Sequence, residues 1–261
     1  MNNIREFLKI DNGYYTINRE ERNLAAIFYY TLLIKDNLQK FLDFISCNFS
    51  INQDEFGIYF EYAYLRDLWY NIKGGNDEKR ELIYTFLKPN NIHELKRFNT
   101  LQFNSYFGAI SKSPDYIESP GNWSIDRYKH NIKDDKDEFL KICKFKWSFN
   151  AKPDIVIHTS SDHAICIEAK LESNEGSYPT KQTEIDEFNR RELPRVTQTE
   201  LQKKLMEELL GIQTQFIFLI QKGNPSATHK TIFWKDVFSI LDIESCPYFI
   251  KEWIKRLTIQ Q

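Results

Sequence analysis

Residues 153–170 read Pro-Asp-Ile-Val-Ile-His-Thr-Ser-Ser-Asp-His-Ala-Ile-Cys-Ile-Glu-Ala-Lys, or PDIVIHTSSDHAICIEAK. DIVIH (154–158) and AICIEAK (164–170) are short runs rich in β-branched residues, and the polar TSSDH between them is turn-forming. Two such runs joined by a few turn residues are the signal of a β-hairpin. Pro153 has no N–H to give to a ladder and suits the start of a strand. Side chains alternate along a strand, so Glu168 and Lys170 project from one face while Ile165, Ile167 and Ala169 project into the core. Closing the hairpin sets Asp154, which opens one strand, beside Glu168, near the end of the next. Two carboxylates and an ammonium group then converge at one end of a sheet, and the Ala169 carbonyl offers a further oxygen.

C-terminal to the hairpin, VTQTELQKKLMEELLG (196–211) has the pattern of an amphipathic helix ended by Gly211. TQFIFLI (214–220) reads as a buried strand, and TIFWKDVFSIL (231–241) and CPYFIKEWIKRL (246–257) as a short strand and helices. On the N-terminal side FKWSF (145–149) alternates like a strand, so the order from Phe145 is strand, strand, strand, helix, strand, helix. Residues 111–135 hold two prolines, a glycine and mixed charges, and read as a long loop or lid. The first 110 residues or so read as mainly helical. Asn18 opens an apolar run through LAAIFYYTLLI to Ile45 that suits a buried helix, and Asn18 with Glu21 has the spacing of a capping box. Further helices are expected at 55–72, 77–87 and 92–98, separated by the breakers GGN and KPNN. The chain thus divides into a mainly helical region, 1–135, and an α/β core, 136–261.

Composition excludes several classes. With 41% hydrophobic and 15% aromatic residues in 261, the chain is too apolar to be disordered. No window approaches the length of a membrane span, and MNNIREFLKI has no apolar stretch of the secretory type. Cys47, Cys143, Cys166 and Cys246 are far apart and form no CxxC pair, so neither a zinc site nor a disulfide framework is expected, and a cytoplasmic setting is. The formal net charge is −2, so any surface for nucleic acid has to be a local patch.

The hairpin residues suit hydrolysis of a phosphodiester, which needs a neutralised phosphate, an activated water and help for the leaving oxygen. Mg²⁺, or Mn²⁺ in its place, supplies these when held by one or two carboxylates plus water and substrate oxygens. Asp154 and Glu168 are the expected metal ligands. Lys170 is expected to orient the water and stabilise developing negative charge. A [DE]-x-K triplet occurs four times, starting at Asp77, Glu94, Asp134 and Glu168, and Pro-Asp occurs at 114–115 and 153–154. Only one combination puts Pro-Asp on one strand and the triplet at the end of the next. The bland alternative is an ordinary hairpin with a surface Glu–Lys pair.

Pro153, Asp154, Glu168 and Lys170 in this arrangement resemble the PD-(D/E)XK superfamily, which includes restriction endonucleases, exonucleases and repair nucleases. The resemblance covers roughly residues 140–220 together with an N-terminal helix. It implies an α/β fold with a restriction endonuclease-like mixed-sheet core ordered αβββαβ beside the helical N-terminal region. It also implies a Mg²⁺-dependent phosphodiesterase, a deoxyribonuclease of the endonuclease kind, in bacterial (phage) defence or DNA processing, with a homodimer where both strands are cut. In that superfamily a helix before the strands often adds a third acid. Glu21, with Glu20 as fallback, is the candidate in NREERN (18–23), against its capping role. A glutamine after the active strand serves some of these enzymes, and Gln198 and Gln202 stand there, against the alternative of a helix's polar face. Arg195, with Arg190, Arg191, Lys203 and Lys204, makes the best local basic patch for nucleic acid, diluted by Glu184, Asp186, Glu187, Glu207 and Glu208. Arg19 and Arg22 are either phosphate contacts or surface charge. His158 and His163 flank the hairpin turn and are assigned no metal. Tyr29, Tyr30, Tyr62, Tyr64 and Trp69 are expected in the helical core, and Trp123 and Trp234 have no assigned role. The rival functions are an RNA-directed nuclease or toxin, and a non-catalytic nucleic-acid-binding or regulatory module that retains the fold.

Overall fold

A computed structural model describes residues 21–111, 113–132, 135–171, 175–221 and 229–259. The protein is α/β with a mixed five-stranded sheet. By its internal contacts the chain forms two compact units that interleave in sequence. The first is Met1–Tyr62, Pro153–Asn174 and Gln213–Gln261, and the second is Ala63–Lys152 and Glu175–Ile212. The division thus differs from one at 135/136, because one strand of the sheet comes from the N-terminal part of the chain.

In the first unit, α1 (Glu21–Leu32) and α2 (Asn37–Phe44) precede β1 (Gly57–Phe60). β2 (Ile155–His158), β3 (His163–Ala169), β4 (Gln213–Ile220), β5 (Lys230–Phe233), α3 (Trp234–Ile240) and α4 (Tyr248–Ile259) follow. The strands lie side by side in the order β1-β2-β3-β4-β5. The first three are antiparallel and the last three parallel. Parallel neighbours need a long connection, and residues 170–212 provide it between β3 and β4. The apolar run expected as one helix to Ile45 is two helices, separated at Lys35, whose φ of 48° is left-handed. Leu24, Ala25, Phe28, Thr31 and Leu32 form the buried stripe of α1, spaced as one helix face. Phe28 meets Phe41 and Trp234 edge-on at 5.2 and 5.5 Å. Ile155, Ile157, Ile165, Ile167, Ala169, Ile217 and Leu219 line the same core from the sheet. Ile165, Ile167 and Ala169 therefore face inward, as alternation requires. Each Ile or Leu among them contributes about 1.5–3 kcal/mol by burial and Ala169 less, which anchors the hairpin to the core.

The second unit is mainly helical, with helices at Tyr64–Asn71, Gly75–Leu87, Ile92–Leu95, Thr100–Tyr106, Ile125–Tyr128, Lys136–Ser148, Gln182–Arg190 and Gln198–Lys203. The last continues as a wider π turn over Lys204–Leu209. FKWSF is not a strand. It ends the helix Lys136–Ser148, whose buried Phe139, Ile142, Cys143 and Phe145 recur at helical spacing and whose N-terminus is capped by the Asp135 side chain. The strand missing from that position is β1, in a stretch expected to be helical from residue 55. Residues 111–135 are not an open lid: Ile117, Trp123, Ile125 and Tyr128 are buried, and Trp123 stacks on Phe107 at 4.2 Å. Tyr30 and Tyr64 are exposed, unlike Tyr62 and Trp69, which are buried as expected. The four cysteines are free thiols. Among the described residues no helix is long and apolar enough to cross a membrane.

Candidate active site

β2 and β3 pair with Ile155 opposite Ile167 and Val156 opposite Cys166. Carrying the register one rung further sets Asp154 opposite Glu168, where Cβ atoms of directly paired residues are ~5 Å apart. The Ala169 N–H donates to Asp154 Oδ2 at 2.8 Å. Lys170 Nζ lies 2.9 Å from Glu168 Oε1 and 3.5 Å from Glu21 Oε2. The other oxygen of Glu21 accepts the Leu171 N–H at 3.2 Å. The main chain of Lys170 is fixed on both sides: its N–H donates to the Leu219 carbonyl at 2.7 Å, and its carbonyl accepts the Trp234 indole N–H at 3.0 Å. All these residues belong to the first unit.

The cluster is shielded from water, with the Glu168 side chain 3% and that of Lys170 12% exposed. The carboxylates of Glu168, Glu21 and Asp154 gather around the Lys170 ammonium. Burial, then the neighbouring charge of Glu168, pushes the Asp154 carboxyl up to about 7, against the opposing pull of the Ala169 N–H and Lys170. Burial alone would lower the Lys170 ammonium, but the charge and hydrogen bond of Glu168, with Glu21 and Asp154, raise it, so it stays a cation. Among the described residues no group of three or more His, Cys, Asp and Glu is set to hold a metal ion by itself. The oxygens of Asp154 and Glu168 fit a hard divalent cation that keeps much of its water, because a positive charge there would offset the burial and the Glu168 repulsion that lift Asp154.

The structure brings together Asp154, Glu168, Lys170 and Glu21. Asn18, Arg19 and Glu20 lie outside the described residues, so the capping box and the Glu20 alternative are not addressed. Gln198, Gln202 and Arg195 belong to the second unit. Gln202 is buried, and the Gln198 N–H donates to the Gly176 carbonyl. Arg195 spends its guanidinium on the Ser177 and Pro179 carbonyls, at 3.1 and 3.0 Å, and so acts as a local clamp. The expected basic patch is internally paired: Arg190 and Arg191 with Glu187, Lys203 with Glu207, Lys204 with Glu208. Thr197 caps the helix beginning at Gln198 in a capping box with Glu200, a T-x-x-E signal that the sequence carries. His158 is half-buried, its Nε2 3.1 Å from the Tyr62 hydroxyl, and His163 opens β3 beside Asp162. Asp77 and Glu94 sit in helices, away from any strand end. Trp234, without a role on sequence grounds, buttresses Lys170. Comparison with protein-family models, with curated proteins and with solved structures found no match.

Proposed function

We propose that the protein is a metal-dependent phosphodiesterase of the restriction endonuclease-like class, acting on DNA. The observation that carries this reading is the carboxylate pair of half-buried Asp154 and buried Glu168, opposed on adjacent strands with the Lys170 ammonium against it. Gathering a buried Glu168 with half-buried Asp154, Glu21 and Lys170 at one strand end is an arrangement that function explains better than packing. The element order supports the same reading: α1, β1, β2, β3, a helical connection and β4 follow the αβββαβ ordering that the resemblance implies, with the second unit inserted between strands.

Asp154 and Glu168 are the residues that would hold Mg²⁺. The ion supplies charge neutralisation at the phosphate and a more acidic water. Lys170, held as a cation, is placed to orient the attacking water and to stabilise negative charge that develops on the phosphate oxygens. Glu21 fixes the Lys170 side chain from the opposite side. The apolar face of β3 anchors the strand and keeps these groups from shifting.

Cleavage of supercoiled plasmid, linear duplex, single-stranded DNA and RNA with Mg²⁺, Mn²⁺ or EDTA tests the proposal on wild type, Asp154→Ala and Lys170→Ala. The expected result is nicking or linearisation that EDTA abolishes and each substitution lowers at least about a hundredfold. Preference for RNA would move the assignment to the RNA-directed class. Wild-type protein that cuts nothing, or cutting unchanged in both variants, would sink the catalytic assignment.

A further inference from the structure

At the end of β1 the chain makes a costly turn. Glu61 has a φ of +50°, left-handed for a residue with a Cβ. Its N–H donates to the Asp154 carbonyl at 2.8 Å, so it continues the β1–β2 ladder to the rung beside Asp154. The Tyr62 N–H then donates to the Pro153 carbonyl at 3.0 Å. The Glu61 carboxylate meets Arg22 Nε at 2.5 Å, and Arg22 follows Glu21, the acid that engages Lys170. The Arg22–Glu61 pair therefore stands at the same end of the sheet as the carboxylate pair.

The Arg22 side chain is 66% exposed and that of Glu61 29%. An ion pair this exposed adds little to stability. Arg22 engages Glu61 through Nε, which leaves the edge formed by its terminal nitrogens to meet a ligand. That edge is planar and permanently charged, and its two parallel donors match the oxygens of a phosphate. The neighbouring carboxylates repel a polyanion, so a substrate strand needs a cationic contact beside the reacting phosphate.

We infer that Arg22 is a phosphate-binding residue for the nucleic-acid backbone, gripping a phosphate next to the one that reacts, with Glu61 holding its guanidinium in place. The inference rests on reading the site as a nucleic-acid phosphodiesterase. Its test is binding of a short fluorescent DNA duplex, with an RNA duplex as the second arm, in Ca²⁺ over a series of salt concentrations. A residue that neutralises one phosphate contributes about one to the slope of log affinity against log salt. Arg22→Ala is expected to reduce that slope by about one and to weaken binding about tenfold at low salt. Arg22→Lys is expected to keep the slope and lose part of the affinity, because the charge remains and the fork does not. Weaker binding of Arg22→Ala with an unchanged slope would make Arg22 structural and overturn the inference. Wild type that binds and cuts while Arg22→Ala matches it in slope and affinity would overturn the Arg22 assignment alone. Wild type that neither binds nor cuts would overturn the phosphodiesterase reading as well.

Discussion

In the second unit Glu187 faces Arg190 and Arg191, whereas in the first Asp154 and Glu168 share Lys170. Both groups combine a buried acid with basic side chains, but their carboxyls are shifted in opposite senses. Arg191 is buried and places Nε 2.6 Å from Glu187 Oε1, Nη2 2.6 Å from the Ile132 carbonyl and its guanidinium over the Phe139 ring. Hydrogen bonding to Arg190 holds the Glu187 carboxyl down at about 2, against the opposing effect of burial and with further help from Arg191. At the Asp154 end burial, then the charge of Glu168, pushes a carboxyl up instead of down. A raised carboxyl beside a lysine and a second acid marks a candidate site, and a lowered one held by arginines marks a structural ion network.

The largest expected effect breaks the Glu187 cluster. Arg191→Met removes the buried one of the two charges facing Glu187 and takes the Arg191 donors from the Lys129 and Ile132 carbonyls. Breaking a buried pair in this way costs about 3 kcal/mol or more, which corresponds to a melting temperature lower by roughly 6–12 °C. The double variant Glu187→Leu/Arg191→Met is expected to recover part of the loss, since no buried charge is then left alone. A single variant as stable as wild type by denaturant titration would show that this cluster does not hold the unit together.

The opposite sign is expected at the sheet end. Asp154 ordinarily titrates near 3.8 and is raised to about 7 in the fold. The folded protein therefore binds its proton more tightly than the unfolded chain does. The stabilisation from that proton is fully present below about pH 4 and is lost as pH rises through about 7. Asp154→Asn keeps an oxygen for the Ala169 N–H and removes the charge. In metal-free buffer at pH 8 it is expected to be more stable than wild type by about 2 kcal/mol, or ~4–8 °C, with the advantage gone near pH 4. Added Mg²⁺ is expected to stabilise wild type at pH 8 and not the variant, and EDTA to reverse the gain. Melting curves at both pH values decide it: a variant less stable than wild type at pH 8 would remove the contrast. For Glu187 the sign reverses, because its lowered carboxyl contributes stability above about pH 4.5 that is lost as pH falls toward 2.

The parts of this architecture that local pattern can carry were legible. The hairpin 153–170 announces itself through two β-branched runs and a polar turn, and alternation alone places Ile165, Ile167 and Ala169 in the core and Asp154 across from Glu168. β1 was not legible. GIYF is four residues long, and its partner lies beyond residue 154, so no local periodicity records the pairing. FKWSF misled for a related reason: five residues of aromatic alternation fit a strand, while the thirteen residues of Lys136–Ser148 show the helical period. Glu21 was legible as an acid near the start of a helix, but its contact with Lys170 depends on how α1 meets the end of β3. The basic patch failed because charge counted along the chain does not reveal which arginines bond carbonyls and carboxylates of their own unit. Trp234 left no trace at all, because it acts through an indole N–H on the main chain of a residue far away in sequence.

Trp234 offers the finest test of the contrast, since it belongs to the core by burial and to the site by one hydrogen bond. The side chain is fully buried, edge-on to Phe28 and stacked against Phe238. Trp234→Phe keeps an aromatic ring in that space and deletes the donor to the Lys170 carbonyl, 3.0 Å away. The expected loss of stability is about 1–2 kcal/mol, from one buried hydrogen bond and a smaller ring. A Lys170 backbone freed on one side places its ammonium less accurately, and a small misplacement of a catalytic group is expensive. Cleavage is therefore expected to fall about tenfold in kcat with KM unchanged, the loss of a group that acts only as the reaction proceeds. Trp253→Phe is the control, because Trp253 is buried in the same core without a bond to Lys170. Should both variants lose activity only as far as they lose folded protein, Trp234 is packing and nothing more. If only Trp234→Phe loses kcat at full folding, the charged cluster at the sheet end depends on the apolar core through that single N–H.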